Sequence, residues 1–175
     1  MQIETERLLI REFTPSDWQA VHDYAKQAAI LIYEAWGPNT EADTRLFVDT
    51  AVEEQQKSPR DTFELAIILK SQIKLIGGCS FRFAGNEREK VSMGYIIHPE
   101  YWKNGYATEA SIGLINEIKR NFFGIKVINA TCDALNIASQ RVLQKSGFQR
   151  KDVIDKDFQM KGRWRNTFLY ELSVL

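Results

Sequence analysis

Gly94-Tyr95-Ile96-Ile97-His98-Pro99-Glu100-Tyr101-Trp102-Lys103-Asn104-Gly105-Tyr106-Ala107-Thr108-Glu109-Ala110 joins two kinds of hydrophobic pattern. On its N-terminal side Val91, Met93, Tyr95 and Ile97 alternate with Ser92, Gly94, Ile96 and His98, which predicts a strand ending at Pro99. On its C-terminal side Ala107, Ala110, Leu114, Ile115, Ile118 and Phe122 recur at helical spacing. A strand therefore passes through a polar loop and a glycine into an amphipathic helix. The first N–H groups of such a helix have no intrahelical acceptor, and the positive end of its dipole lies behind them, which suits an anion. Gly105 permits close backbone approach, and the small Ala107 leaves no bulk above the phosphates. Taken alone, the residues leave two readings open: a phosphate site, or a plain helix start with a glycine in its first turn.

Working outward, Leu8–Phe13 reads as a strand, and Pro15-Ser16-Asp17 starts a helix with Trp18, Val21, His22, Ala25 and Ala29 on one side. Tyr33–Thr40 is a turn, and Thr40 caps a second helix that ends before Ser58-Pro59. Phe63–Leu69 and Lys74–Phe83 make a hairpin that leads to the strand described above. Past the central helix, stopped at Gly124, Lys126–Cys132 is a β-branched strand and Ala138–Lys145 a short helix capped by Gly147. Gln149–Asp157 and Arg163–Ser173 close the chain as two long strands, the second with Trp164, Phe168, Tyr170 and Leu172 on one face. The order is βααβββαβαββ, a mixed α/β chain in one domain over residues 1–175.

Composition narrows the function. Lys plus Arg number 23 and Asp plus Glu 23, so the basic excess of a phosphate-neutralising nucleic-acid binder is missing. No segment reads as a signal peptide or approaches the ~18 apolar residues of a membrane span. Cys79 and Cys132, far apart in strand-like stretches, read as reduced core residues of a cytoplasmic protein. Only His22 and His98 are present, with no HExxH, CxxC or GxSxG pattern, so neither a metal site nor a hydrolase triad is expected.

The segment Trp102-Lys103-Asn104-Gly105-Tyr106-Ala107 resembles the Gln/Arg-x-x-Gly-x-Gly/Ala motif of the GCN5-related N-acetyltransferase (GNAT) superfamily, with Trp at the first position. Asn136, Ala138, Ser139, Leu143 and Gly147-Phe148 match a second motif, and Glu4-Thr5-Glu6-Arg7-Leu8-Leu9-Ile10-Arg11 a third. The latter, with Gly105-Tyr106-Ala107-Thr108-Glu109-Ala110, is similar to the branch of ribosomal-protein N-terminal acetyltransferases. The resemblance implies a largely antiparallel seven-stranded sheet flanked by helices, with the fourth and fifth strands splayed apart to hold acetyl-CoA. It implies that the pantetheine arm pairs with Ile96, Ile97 and His98 as an added strand. The pyrophosphate would rest on Asn104, Gly105, Tyr106, Ala107 and Thr108, and Asn136 would bond the arm from the fifth strand. Arg141 and Lys145 would reach toward the nucleotide. No metal is implied, and the protein is expected as a monomer or homodimer.

Acetyl transfer needs a neutral amine, a donor for the developing oxyanion and a proton for the departing thiolate. The resemblance puts the Ile97 backbone N–H at the oxyanion. The family's Tyr donor falls at Leu143, which has no proton to give; the ribosomal-protein branch points to Ser139 instead. Ser139 also suits a helix cap, and both roles stand. Where relatives carry a Glu base, this chain has Ser92; where they often carry Asp in the last strand, it has Asn166. Without a base, rate should follow the neutral fraction of the amine, which favours an α-amine over a lysine side chain. Tyr33, Trp36 and Trp164 are candidates for the acceptor lining. The expected acceptor is the α-amine of a peptide or protein N-terminus. A small-molecule amine is the first alternative, set back because the acidic residues look scattered, and a non-catalytic acyl-CoA-binding module is the second.

Overall fold

The computed structural model describes residues 1–34, 36–85, 88–160 and 162–174. Its strands are β1 (Gln2–Glu4), β2 (Leu8–Glu12), β3 (Thr62–Leu69), β4 (Lys74–Ala84), β5 (Lys90–Ile97), β6 (Val127–Asp133), β7 (Gln149–Met160) and β8 (Arg163–Ser173). Its helices are α1 (Trp18–Ala25), α2 (Glu41–Glu54), α3 (Tyr106–Asn121) and α4 (Ile137–Lys145). The strands form one sheet in the order β1-β2-β3-β4-β5-β6-β8-β7. The expected order holds, with one added strand: the sheet among the described residues has eight strands, not seven. β1 has three residues and buries only Ile3, so its sequence carries too little alternation to read. It is held by pairing to β2.

Two apolar clusters pack on opposite faces of the sheet. Leu65, Ile67 and Leu69 of β3 point toward Ala110, Leu114 and Ile118 of α3. Ala66 and Ile68 point the other way, toward Val21, Tyr24 and Val48 of α1 and α2. A strand covered on both faces reads as a continuous apolar run, which is why Phe63–Leu69 does not alternate. Thr40 caps α2 in a capping box with Asp43, accepting from its N–H at 3.2 Å. Helix α1 stops at Ala25, short of the expected Ala29, and gives way to a 3-10 turn at Ile30–Ile32. Among the described residues no helix is long and apolar enough to cross a membrane.

Candidate active site

The sheet opens at its centre. Parallel neighbours β5 and β6 register only at Lys90↔Val127, Val91↔Ile128 and Ser92↔Asn129. Beyond Ser92 they diverge, while β4 stays on β5 to Ile97 and β8 stays on β6 to Asp133. The splayed strands expected of this chain are therefore β5 and β6. His98 donates its N–H to the Ile76 carbonyl at 2.7 Å. Main-chain groups alternate sides along an antiparallel strand, so those of Ile97, Tyr95 and Met93 face the gap. Gly77 keeps β4 against this end of β5: a Cβ there would stand 2.1 Å from the Ile96 carbonyl oxygen.

The loop after β5 is tied back to the strand. Trp102, at the motif position where Gln or Arg is usual, donates its indole N–H to the Ile97 carbonyl at 2.6 Å. His98 is 4% exposed; its Nδ1 accepts from the Glu100 N–H, and its Nε2 lies 3.3 Å from Asp23 Oδ2. His98 thus shapes the turn, and its own N–H is already paired. Asn104 donates its side-chain amide to the Tyr101 and Trp102 carbonyls.

Helix α3 begins at Gly105, whose φ of +82° is left-handed, as is that of Lys103 at +64°. Left-handed residues in a loop turn successive N–H groups into one concavity. Among the described residues the N–H groups of Gly105, Tyr106, Ala107 and Thr108 donate to no protein acceptor. This is a cradle that a pyrophosphate fits. Its outer wall is built from residues distant in sequence. Glu109 accepts from Thr5 Oγ1 at 2.6 Å, from the Arg7 N–H at 2.8 Å and from Arg7 Nε at 2.7 Å. Burial alone would raise the Glu109 carboxyl, but these hydrogen bonds hold it below its ordinary range. Arg7 also donates to the Asn104 carbonyl and stacks on Tyr106, 4.6 Å from its ring centre. Arg141 is exposed on α4, and Lys145 borders a second hollow of about 640 Å³ beside Arg7, Gly105 and Thr108.

Across the gap, Asn136 caps α4 by accepting from the Ser139 N–H at 3.0 Å, and its amide nitrogen remains to meet a ligand. The cap is Asn136, so the Ser139 side chain is free for another partner. That partner is Tyr95: Ser139 Oγ and Tyr95 Oη lie 2.9 Å apart, and Tyr95 Oη also donates to the Ser139 carbonyl at 3.2 Å. Burial pushes the Tyr95 hydroxyl well above its ordinary value and the neighbouring Cys132 thiol up to about 11, with Ser139 pulling both the other way. Leu143 is 1% exposed and closes α4, accepting from the Phe148 N–H in a Schellman turn at Gly147.

A cavity of about 760 Å³ joins the gap to α1, α2 and the final hairpin. Tyr33 and Trp36 line it; Trp164 does not, and stands 57% exposed near the hairpin turn while Thr167 and Leu169 face inward. Four carboxylates reach the wall: Glu34, Glu64, Asp133 and Asp157. No Lys, Arg or His is among the described lining residues. Glu34 accepts from the Trp36 indole at 3.1 Å and Asp157 from Thr167 Oγ1 at 2.6 Å. Asp133 lies 2.6 Å from Arg165 Nη2, an ion pair whose angle is poor for a hydrogen bond. Burial raises Glu34, and it raises Glu64 to about 7 against the pull of Arg82, Ser80 and Arg60. Neither Tyr95 nor Glu64 stood out in the sequence, since nothing local marks either one. Among the described residues no cluster of His, Cys, Asp and Glu could hold a metal ion.

Residues 7–149 match the acetyltransferase (GNAT) domain family. The chain belongs to the GNAT acetyltransferases. It is 32% identical over 179 positions to YnaD, an uncharacterized N-acetyltransferase of Bacillus subtilis (strain 168), covering 98% of this chain and 96% of the relative. A GNAT-family acetyltransferase from Bacillus anthracis superposes with a TM-score of 0.86 at 30% identity, covering 99% of this chain and 98% of the other. The Salmonella typhimurium enzyme that modifies the N-terminal serine of ribosomal protein L7/L12 shares the fold, with a TM-score of 0.87 at 17% identity and 100% of each chain covered. GNAT enzymes carry an acetyl group from acetyl-CoA to an amine. The open β5 edge and the free N–H groups at α3 are the parts of this chain that fit that cosubstrate.

Proposed function

We propose that this GNAT acetyltransferase acetylates a primary amine, specifically the α-amine of a peptide or protein N-terminus. The observation that carries the reading is one cavity in which the open β5 edge, the Ser139–Tyr95 pair and a wall meet, a wall that among the described residues carries carboxylates and no basic side chain. Acetyl-CoA supplies the activated acyl carbon. The chain's own residues do the rest. The N–H groups of Gly105–Thr108 hold the diphosphate, and Asn136 and the β5 edge align the pantetheine arm. The Ile97 N–H faces the gap, where an oxyanion would form. Ser139, backed by Tyr95, gives a proton to the departing sulfur.

The α-amine is favoured by charge state. With pKa about 8 it is about a tenth neutral at pH 7, against below ~0.1% for a lysine amine. A second reading, a small cationic amine, gains from the same wall: acidic residues that look scattered in sequence converge in space as Glu34, Glu64, Asp133 and Asp157. Release of free CoA from acetyl-CoA is the test, with a free-N-terminus peptide, an N-blocked lysine peptide and a polyamine as acceptors. The free-N-terminus peptide should turn over fastest. Activity on the polyamine alone hands the site to the second reading, and no turnover with any amine overturns acetyl transfer.

A further inference from the structure

Glu64 on β3, Ser80 on β4 and Gly94 on β5 stand directly opposite one another across three neighbouring strands. Opposed residues share a face of the sheet, and all three line the cavity. Gly94 has no side chain, and where its Cβ would stand the nearest atom is Ser80 Oγ at 3.8 Å. The row is therefore open from the Ser80 hydroxyl to the unpaired edge of β5. Two strand spacings, about 10 Å, separate the Glu64 backbone from β5, a distance that a glutamate side chain and one water or hydroxyl bridge. Ser92, at the position where the family resemblance implies a glutamate in many members, lies on the same face two residues from Gly94.

Resting on the amine-acetylation reading above, we propose that Glu64 is the general base of this enzyme, replacing from β3 the carboxylate that β5 lacks. An N–H bond of the acceptor ammonium breaks, and its proton passes through a water or the Ser80 hydroxyl to the Glu64 carboxylate. The freed lone pair forms the C–N bond at the acyl carbon. The C–S bond breaks with its electron pair on sulfur, which takes a proton from the Ser139–Tyr95 pair. The second proton lost by the amide nitrogen balances that one, and Glu64 returns its own to solvent.

The surroundings suit the task. Arg60 is spent on Glu12, in a two-pronged pair at 2.8 and 2.9 Å, and Arg82 donates to Thr62 Oγ1. Both act on Glu64 as nearby charges. Tyr24 of α1 faces it as a neutral group whose ionisation burial pushes up, and Cys79 of β4, paired with Leu65 on the other face of the sheet, is likewise neutral. Glu34 is a further carboxylate on the same cavity, and α2 contributes Phe47 to the lining. Burial, the largest influence, leaves the Glu64 carboxyl near 7, where a base balances availability against strength. Such a base lies about tenfold in proton affinity from an α-amine and over a thousandfold from a lysine amine.

The test is kcat/KM for the best acceptor from pH 6 to above the acceptor's own pKa, in wild type and Glu64→Gln, with acetyl-CoA affinity measured alongside. At pH 7 the variant should lose about 10²-fold, and the gap should close to within threefold once the amine is neutral without help. Glu64→Asp should keep the wild-type pH shape at a lower rate. It also serves if the Gln variant folds poorly. Equal profiles in wild type and Glu64→Gln overturn the assignment, as does a loss that is the same at every pH, the mark of a structural role. A wild-type protein inactive with every amine instead sinks the acetyl-transfer reading itself.

Discussion

Replacing Ser139 with Ala separates the two roles the sequence leaves open for it. The structural loss should be small. The α4 cap stays, because the Ser139 N–H still donates to Asn136 Oδ1 at 3.0 Å, and Tyr95 Oη keeps the Ser139 carbonyl at 3.2 Å. What disappears is the 2.9 Å Oγ–Oη bond. One such bond contributes about 1 kcal/mol, which lowers Tm by about 2–4 °C in a domain of this size. The catalytic loss should be larger. Removing a positioned proton donor costs about 10²–10⁴ in kcat, or roughly 2.7–5.5 kcal/mol of barrier. Stopped CoA-release assays give kcat, calorimetry gives acetyl-CoA affinity, and a melting curve gives Tm. The expected pattern is a collapse of kcat, affinity within threefold, and a modest Tm shift. Tyr95→Phe should lower kcat too, and the double variant should lose less than the two single losses combined, because the pair acts as a unit. A Ser139→Ala enzyme with kcat within threefold of wild type refutes the proton-donor role and leaves Ser139 as a holder of Tyr95.

Gly105→Glu should abolish acetyl-CoA binding in a folded protein, because it forces a side chain onto a left-handed backbone and sets an anion in the cradle; unchanged calorimetric affinity would move the phosphate site elsewhere. Acid should destabilise the fold through Glu109 and Asp17, whose carboxyls are held low despite burial, by Thr5 and Arg7 and by Arg11 and Thr14 respectively. Their contribution is complete above the ordinary carboxylate range and is lost as pH falls through the depressed values. Glu109→Gln should therefore lower Tm at pH 7, with the gap narrowing as pH falls below the ordinary carboxylate range, and a drop that stays the same size on acidification would show that the Thr5–Arg7–Glu109 tie does not report through ionisation.

The strand–loop–helix around Gly105 is legible because its signals are local: alternation before Pro99, helical spacing after Gly105, and a glycine where the backbone turns left-handed. Asn136 and Ser139 are legible as a motif, but which of them caps α4 is a matter of side-chain direction that spacing does not encode. The rest of the site is made by topology. Tyr95 and Ser139 are 44 residues apart, and Arg7 and Glu109 are 102 apart. Glu64 sits in a strand read as an apolar run, where a lone carboxylate looks like an interruption until β4 and β5 are laid beside it. Trp164 misleads for the opposite reason: it shares a face with Phe168 and Tyr170, whereas the cavity lies on the other face of β8, with Thr167 and Leu169.

Only three register pairs join β5 to β6, so the sheet is mechanically two pieces, β1–β5 and β6–β8, sharing a short seam. The amides of Met93, Tyr95 and Ile97 lie on the exposed lip of the first piece, and a thioester arm seated there as a strand would suture the lip to the body. Cosubstrate binding then counts as part of the protein's folding: it adds stability by mass action as its concentration rises, and it does so unevenly. Protection of amides against exchange should concentrate along the lip and spread into β6 and α4.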